Sequence, residues 1–393
     1  MKINKAILAA VLGLGIASVS EAGTVYITGS SAARSTVQAT LLTAGVVFQA
    51  TPAYTVYQGG TTPAGNGGNY MGFVGLDLNG NPLTVQCHWT GSEQGVKDAA
   101  LGQNNTFIAA GLLDGADHGT AVPASFDTAQ VDLAMADNDQ QFSRTKTPAV
   151  GAKAQVGVIT FAWVRNPGLW TGTNVSSSQI IQALTGYAPR SVFSGNTADV
   201  NDYVYVSGRD AFSGTRVNAY GDSGFGILTS PGQVEVNKTT GDLQADTDFN
   251  GTPGVYQGDI GFSSGGTLAG SLGVSTVGKS DANALGGSGG YSVIGYLSRG
   301  DADTAIAAGA KECSYNGVSF SRNAIIEGNY SFWGYEYIMS RSGVGAQALA
   351  AYNNLKNVAT GIPHVAGHSS TKFLPVSDMD CQRSGPNGVV QHN

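Results

Sequence analysis

Three times along this chain a β-rich run ends in a glycine–hydroxyl turn that opens a helix, and that joint narrows the possible folds more than any other feature. The first is "TVYITGSSAARSTVQATLLTAG", from Thr24 to Gly45. Its Ala33, Val37, Leu41 and Ala44 recur at helical spacing, Gly45 is a natural stop, and Ser30 or Ser31 is the expected N-cap. The second joint runs from "NPLTVQCHW" (81–89) through "TGSEQ" into "GVKDAALG". The third runs from "DYVYVSG" (202–208) through "RDAFSGT" into "RVNAYGDSGF". Strands alternating with helices through short turns predict an α/β sheet. Each turn also aims unpaired backbone N–H groups and the positive end of a helix dipole at one spot, which suits an anion. A further short strand, "VDLAMADND" (131–139), ends at Asp137. Ligands of open α/β sheets sit beyond the carboxyl ends of the strands. Four such ends here carry Ser, Ser, Asp and an Arg with Ser and Thr.

The remaining segments suggest two lobes. The apolar run "VGVITFAWVRNPG" (156–168) is expected to carry the chain into a second lobe, and "GGYSVIGYLS" (289–298) to bring it back. On this reading residues 23–154 and 289–393 form lobe 1 and 155–288 form lobe 2. The Gly/Ser-rich stretch around 230–290 is a polar insertion. "SSSQIIQALTG" (176–186) is a capped helix, 301–311 is helical, and "YSFWGYEYIMS" (330–340) is a strand whose Trp333, Tyr335 and Tyr337 face the core. A helix in 341–356 ends the ordered part, and the rest reads as irregular. The N-terminus joins two lysines to a short apolar run and to Ser20-Glu21-Ala22. This predicts a secretory signal peptide over residues 1–22, and with it a periplasmic or secreted protein. Net charge is −7 with no basic block, which argues against nucleic acid as a partner.

Several weaker patterns have plainer readings. Cys87, Cys313 and Cys381 allow one disulfide in an oxidising compartment, Cys313–Cys381 being one choice, and their spacing is no zinc signature. "DTDFNG" (246–251) is half a calcium loop, but Gln257 stands where its closing glutamate belongs. His364 and His368 are four apart with Gly367 between them, and read as tail rather than metal pair. His88, Asp137 and Ser223 fall in a serine-protease order, yet Phe225 interrupts the nucleophile motif. No cofactor or metal is expected.

"TGSSAARS", "GSEQGVKDA", "VDLAMAD", "GRDAFSGTR" and "VIGYLS" resemble, in that order, the motifs of phosphate-specific periplasmic binding proteins. The resemblance spans about residues 24–340. It implies the two-lobe class II periplasmic-binding fold with two crossing hinge strands, closing on one oxyanion. It also implies a monomer that serves an inner-membrane ABC transporter permease. Carried over by position, the ligand set is Ser30 and Ser31 with the N–H groups of Ala32 and Ala33, then Ser92, Asp137, Arg209, Ser213, Gly214 and Thr215. The match departs at Ala211 and Phe212, where the family has an acid and then a glycine. Asp210 is displaced by one and, in this register, points elsewhere.

The chemistry fits a buried oxyanion. Such an ion must be paired and fully hydrogen-bonded or its desolvation wins. Arg209 offers a bidentate fork, and hydroxyls and helix N–H groups supply further donors. Asp137 would repel a bare anion but accept a proton from phosphate, which favours phosphate over sulfate. A non-enzymatic binding protein is therefore the expectation. The alternatives are a phosphatase-like enzyme and a secreted or surface scaffold that keeps the fold without the ligand.

Overall fold

A computed structural model describes residues 23–58, 68–243, 261–280, 289–367, 370–385 and 388–392. The signal segment, the half calcium loop and His368 lie outside the described residues. The early strands are β1 (Gly23–Gly29), β2 (Ala53–Tyr57), β3 (Tyr70–Leu76), β4 (Pro82–His88), a separate hairpin of β5 (Asn104–Ile108) and β6 (Phe126–Gln130), and β7 (Leu133–Ala136). They are followed by β8 (Ala152–Arg165), β9 (Asn174–Val175), β10 (Ala188–Pro189), β11 (Tyr203–Ser207), β12 (Tyr291–Ser298), β13 (Lys311–Tyr315), β14 (Trp333–Ser340) and β15 (Phe373–Leu374).

One mixed sheet carries most of them, in the order β10-β11-β12-β8-β14-β7-β1-β4-β3-β2. Pairing is parallel between β1 and β4, β1 and β7, and β11 and β12, as crossover helices require. Elsewhere on this path it is antiparallel. The helices used below are α1 (Arg34–Leu42), α2 (Ser92–Leu101), α3 (Ser177–Leu184), α4 (Ser191–Ser194), α5 (Gly214–Ser223), α6 (Gly265–Leu272) and α7 (Arg299–Ala307). The three strand–turn–helix joints form where the sequence puts them.

β8 joins the two halves of the sheet. Residues 152–155 alternate between exposed and half-buried, while 156–164 are buried without interruption. The change marks a strand leaving a one-sided environment for one covered on both faces. Its first part pairs with β14 and its last residues with β12 and β13. Most of the apolar run at 156–168 thus lies in a strand that pairs with both halves of the sheet. The return differs from expectation, because β12 pairs with β11 and with Phe161–Arg165, inside the second half. The chain comes back after β13, where Phe161 N donates to Phe332 O at 3.2 Å and Trp163 stacks on Phe332. An apolar strand reads the same whichever neighbours it will have, so periodicity alone does not separate the two placements.

Local details also depart from the sequence reading. Ala33, not Ser30 or Ser31, is the N-cap of α1, and Ser30 Oγ accepts from Ala33 N at 3.3 Å. The stretch around 230–290 contains α6. All three cysteines are buried and free, so the allowed disulfide is not formed. The tail past residue 356 is ordered over much of its length. β15 pairs with β8 at Val158 and Ile159, and Arg383 packs over the Trp333 ring.

Candidate functional site

The carboxyl ends of β1, β4, β7, β11 and β12 converge where the two halves meet. β1 reaches that point because Gly29, at φ +116°, lies against the Met135 backbone, and a Cβ there would fall 2.0 Å from Met135 O. The turn after β4 docks similarly. Gly91 has φ +95° and faces Phe212 O, which also accepts from Glu93 N at 3.0 Å. The halves therefore touch through main-chain atoms.

The expected site residues divide into two places. Ser92, Asp137 and Gly214 form a buried cluster. Ser92 Oγ donates to Asp137 Oδ1, and Asp137 N donates back to Ser92 Oγ at 3.3 Å. The carboxylate rests on Gly214 at the start of α5, and Asn218 Nδ2 donates to the carbonyls of Asp137 (2.7 Å) and Gly214 (3.0 Å). Ser213 caps α5 by accepting from Arg216 N, and Thr215 is buried in the same turn. Burial pushes the Asp137 pKa up to about 6, against the Ser92 hydrogen bond and the Arg209 charge.

Glu336, which the sequence reading passed over, is fully buried nearby. Burial first, and then the Asp137 charge, raises its pKa well above the usual carboxylate range. Neither of its oxygens accepts a well-formed hydrogen bond, although Ser30 is beside it. Its only sequence signal is an acid inside an otherwise apolar and aromatic strand.

The other place is a cavity of about 500 Å³. Ser31, Ala32 and Arg209 line it; Ser30, Ala33, Ser92, Asp137, Ser213, Gly214 and Thr215 do not. Arg209 is anchored by Nε to Phe262 O and by Nη2 to Ser263 O, both at 2.9 Å, while its N–H donates to Tyr296 Oη at 3.0 Å. Two of its donors thus hold main chain, and Nη1 is left for the cavity. Arg34 enters from the opposite half. Nη1 donates to Asn69 Oδ1 at 3.0 Å, and the buried Nε has no partner. Burial lowers the Arg34 pKa, and the charge of Asp301 opposes that shift. Segments at the N-termini of α1, α6 and α7 also line the cavity.

Arg34, Asp301 and the α6 turn were missed, although "SSGGT" (263–267) and "SRGD" (298–301) repeat the hydroxyl–glycine helix opening. Asp210, expected to point elsewhere, lines the cavity next to Arg209.

The protease-like trio is not assembled. His88 bonds to Asn105 at 3.0 Å and stacks on Tyr70, Asp137 is engaged by Ser92, and Ser223 Oγ donates to Tyr220 O. Among the described residues there is no cluster of three or more metal-ligating side chains, and no helix is long and apolar enough to cross a membrane.

No family model matches the chain, and no curated protein matches it. Among solved structures it is similar to an ABC-type phosphate transport receptor from Vibrio cholerae, at 13% identity and a TM-score of 0.46, over 85% of this chain and 94% of that one. It is also similar to a phosphate-binding protein from Stenotrophomonas maltophilia, at 14% identity and a TM-score of 0.39, over 91% of each chain.

Proposed function

We propose that this chain is an extracytoplasmic binding protein that captures phosphate or a similar oxyanion between the two halves of its sheet, for an ABC importer. The observation that carries the reading is the pair Arg34 and Arg209. They face one cavity from opposite halves, one with an unpartnered buried Nε and the other with a free Nη1. Three helix N-termini add N–H donors and a favourable dipole. Hydrogen bonds to a charged group contribute roughly 1.5–3 kcal/mol each. Four or five of them, net of desolvation, support micromolar affinity. The lobes would part within β8 near residue 160 and again between β13 and β14, which leaves two strand connections to act as a hinge.

A binding role fits the described cavity better than catalysis. Its imidazole, His88, is packed against Tyr70, and burial lowers its pKa to about 4, which leaves a weak base at neutral pH. Calorimetry with phosphate, sulfate and arsenate tests the proposal. Phosphate binding that weakens at least tenfold in both Arg34→Ala and Arg209→Ala is expected. No binding of any oxyanion would sink it, and steady turnover of a chromogenic phosphate ester would replace it with the enzymatic reading.

A further inference from the structure

The cavity is far larger than a tetrahedral oxyanion needs. About 500 Å³ lies within the range that accommodates small organic ligands, whereas a five-atom ion would fill a corner of it. This volume is not simply the gap of a cleft standing open. Glu93 N already donates to Phe212 O, the Asp137 carboxylate already rests on Gly214, and Asn218 already holds the Asp137 carbonyl. With those contacts made between the halves, the remaining space is bounded by residues of both that are already in place.

The cavity is also amphoteric. Asp301 and Asp210 line it together with Arg34 and Arg209, and with Arg299 and Lys372, both of which already pair with Asp303. Asp301 Oδ2 accepts from Ser298 Oγ at 2.8 Å and sits against Gly265 at the start of α6, while Asp210 Oδ1 accepts from Phe212 N at 3.0 Å. Neither acid belongs to an ion pair among the described residues. Both are held by the protein close to where an anion would bind. A bare dianion would meet them as like charges. A ligand that carries a positive group beside its phosphate would meet them as partners, through charge-assisted hydrogen bonds.

We infer that the ligand is a small organic phosphate bearing a cationic amino group, its phosphate on Arg34 and Arg209 and its ammonium on Asp301 and Asp210. The inference rests on the oxyanion-binding reading and names the ligand class of that site. The exposed face of Phe212, which also lines the cavity, suits the short carbon chain between the two groups.

Calorimetry of the purified protein with orthophosphate, ethyl phosphate and O-phosphoethanolamine tests it. O-phosphoethanolamine should bind at least tenfold more tightly than ethyl phosphate, the effect of one added charge-assisted hydrogen bond. The preference should fall toward one in Asp301→Asn. Asp210→Asn serves the same purpose if loss of the Ser298 contact unfolds the first variant. Orthophosphate or ethyl phosphate binding as tightly as O-phosphoethanolamine would overturn the inference and leave the oxyanion reading standing. A preference untouched by both Asn variants would overturn it too, and no binding of any of the three compounds would overturn both readings.

Discussion

Asp137 and Gly214 are in direct contact across the two halves of the molecule. A Cβ placed on residue 214 would lie 1.5 Å from Asp137 Oδ1 and 2.6 Å from Ser92 Cβ. The first turn of α5 is therefore occupied by a carboxylate of the protein itself. Gly214→Ala should destabilise the fold by about 2–3 kcal/mol, as overpacking of a tight contact does. Urea unfolding would measure this, and removing the carboxylate in the double variant Gly214→Ala/Asp137→Gly should recover part of the loss. An alanine variant as stable as the parent would show that the contact is not tight.

Arg34 and Arg209, which line the cavity from opposite halves, should separate under mutation. Arg209 holds the carbonyls of Phe262 and Ser263, whereas Arg34 makes one described hydrogen bond, to Asn69. Arg209→Ala should cost about 2–3 kcal/mol of stability, and Arg34→Ala about 1 kcal/mol or less. Both should weaken phosphate binding. Thermal melts run beside calorimetry would show whether affinity and stability come apart at residue 34 alone.

Stability should depend on the protonation of the buried acids. Burial raises Asp137 to about 6, and an unfolded aspartate titrates near 3.9. Between those values the native state holds the proton that the unfolded chain releases. Stability from this group is therefore full below about pH 4, falls as pH rises to about 6 and stays lower above that. A shift of about two units corresponds to roughly 2–3 kcal/mol. Asp137→Asn should accordingly raise the melting temperature at pH 7.5 and leave it near the parent value at pH 3.5. Glu336 is shifted in the same direction, so Glu336→Gln should act in the same sense.

The C-terminal segment should be a structural strap. Arg383 Nη2 donates to the carbonyls of Ser331 (2.6 Å) and Trp333 (2.5 Å) and pairs with Asp222 at 3.3 Å, both side chains being almost fully buried. Asp222 belongs to α5 in the second half, while Trp333 begins β14 in the first. Arg383→Ala leaves a buried carboxylate without its cation and should cost about 3–5 kcal/mol. A melting temperature within a degree of the parent would show that the tail is dispensable.

The β1, β4 and β11 joints and the capped helix at 176–186 were legible because their signals are local. Period, glycine and capping hydroxyl all lie within a few residues of the element they specify. Ser176 and Gln179, for example, complete a capping box three residues apart. Arg209 stands four residues before Ser213, but the spacing does not show that Arg209 lines the cavity while Ser213 and Thr215 do not.

What the sequence determined by itself is the alternation of strands and helices and the hydroxyl–glycine turns at the strand ends. Tertiary structure decided which ends share a cavity. It put Asp137 against Gly214 rather than in the cavity lining, and brought Arg34 and Asp301, some 270 residues apart in the chain, to one cavity. It also sent β12 into the second half and ordered a tail with no periodic pattern. The physical reason is separation along the chain. Arg34 and Asp301, or Arg383 and Asp222, meet only after the sheet has assembled. Burial, which shifts the pKa values of Asp137 and Glu336, is a property of that assembly and of no short stretch of residues.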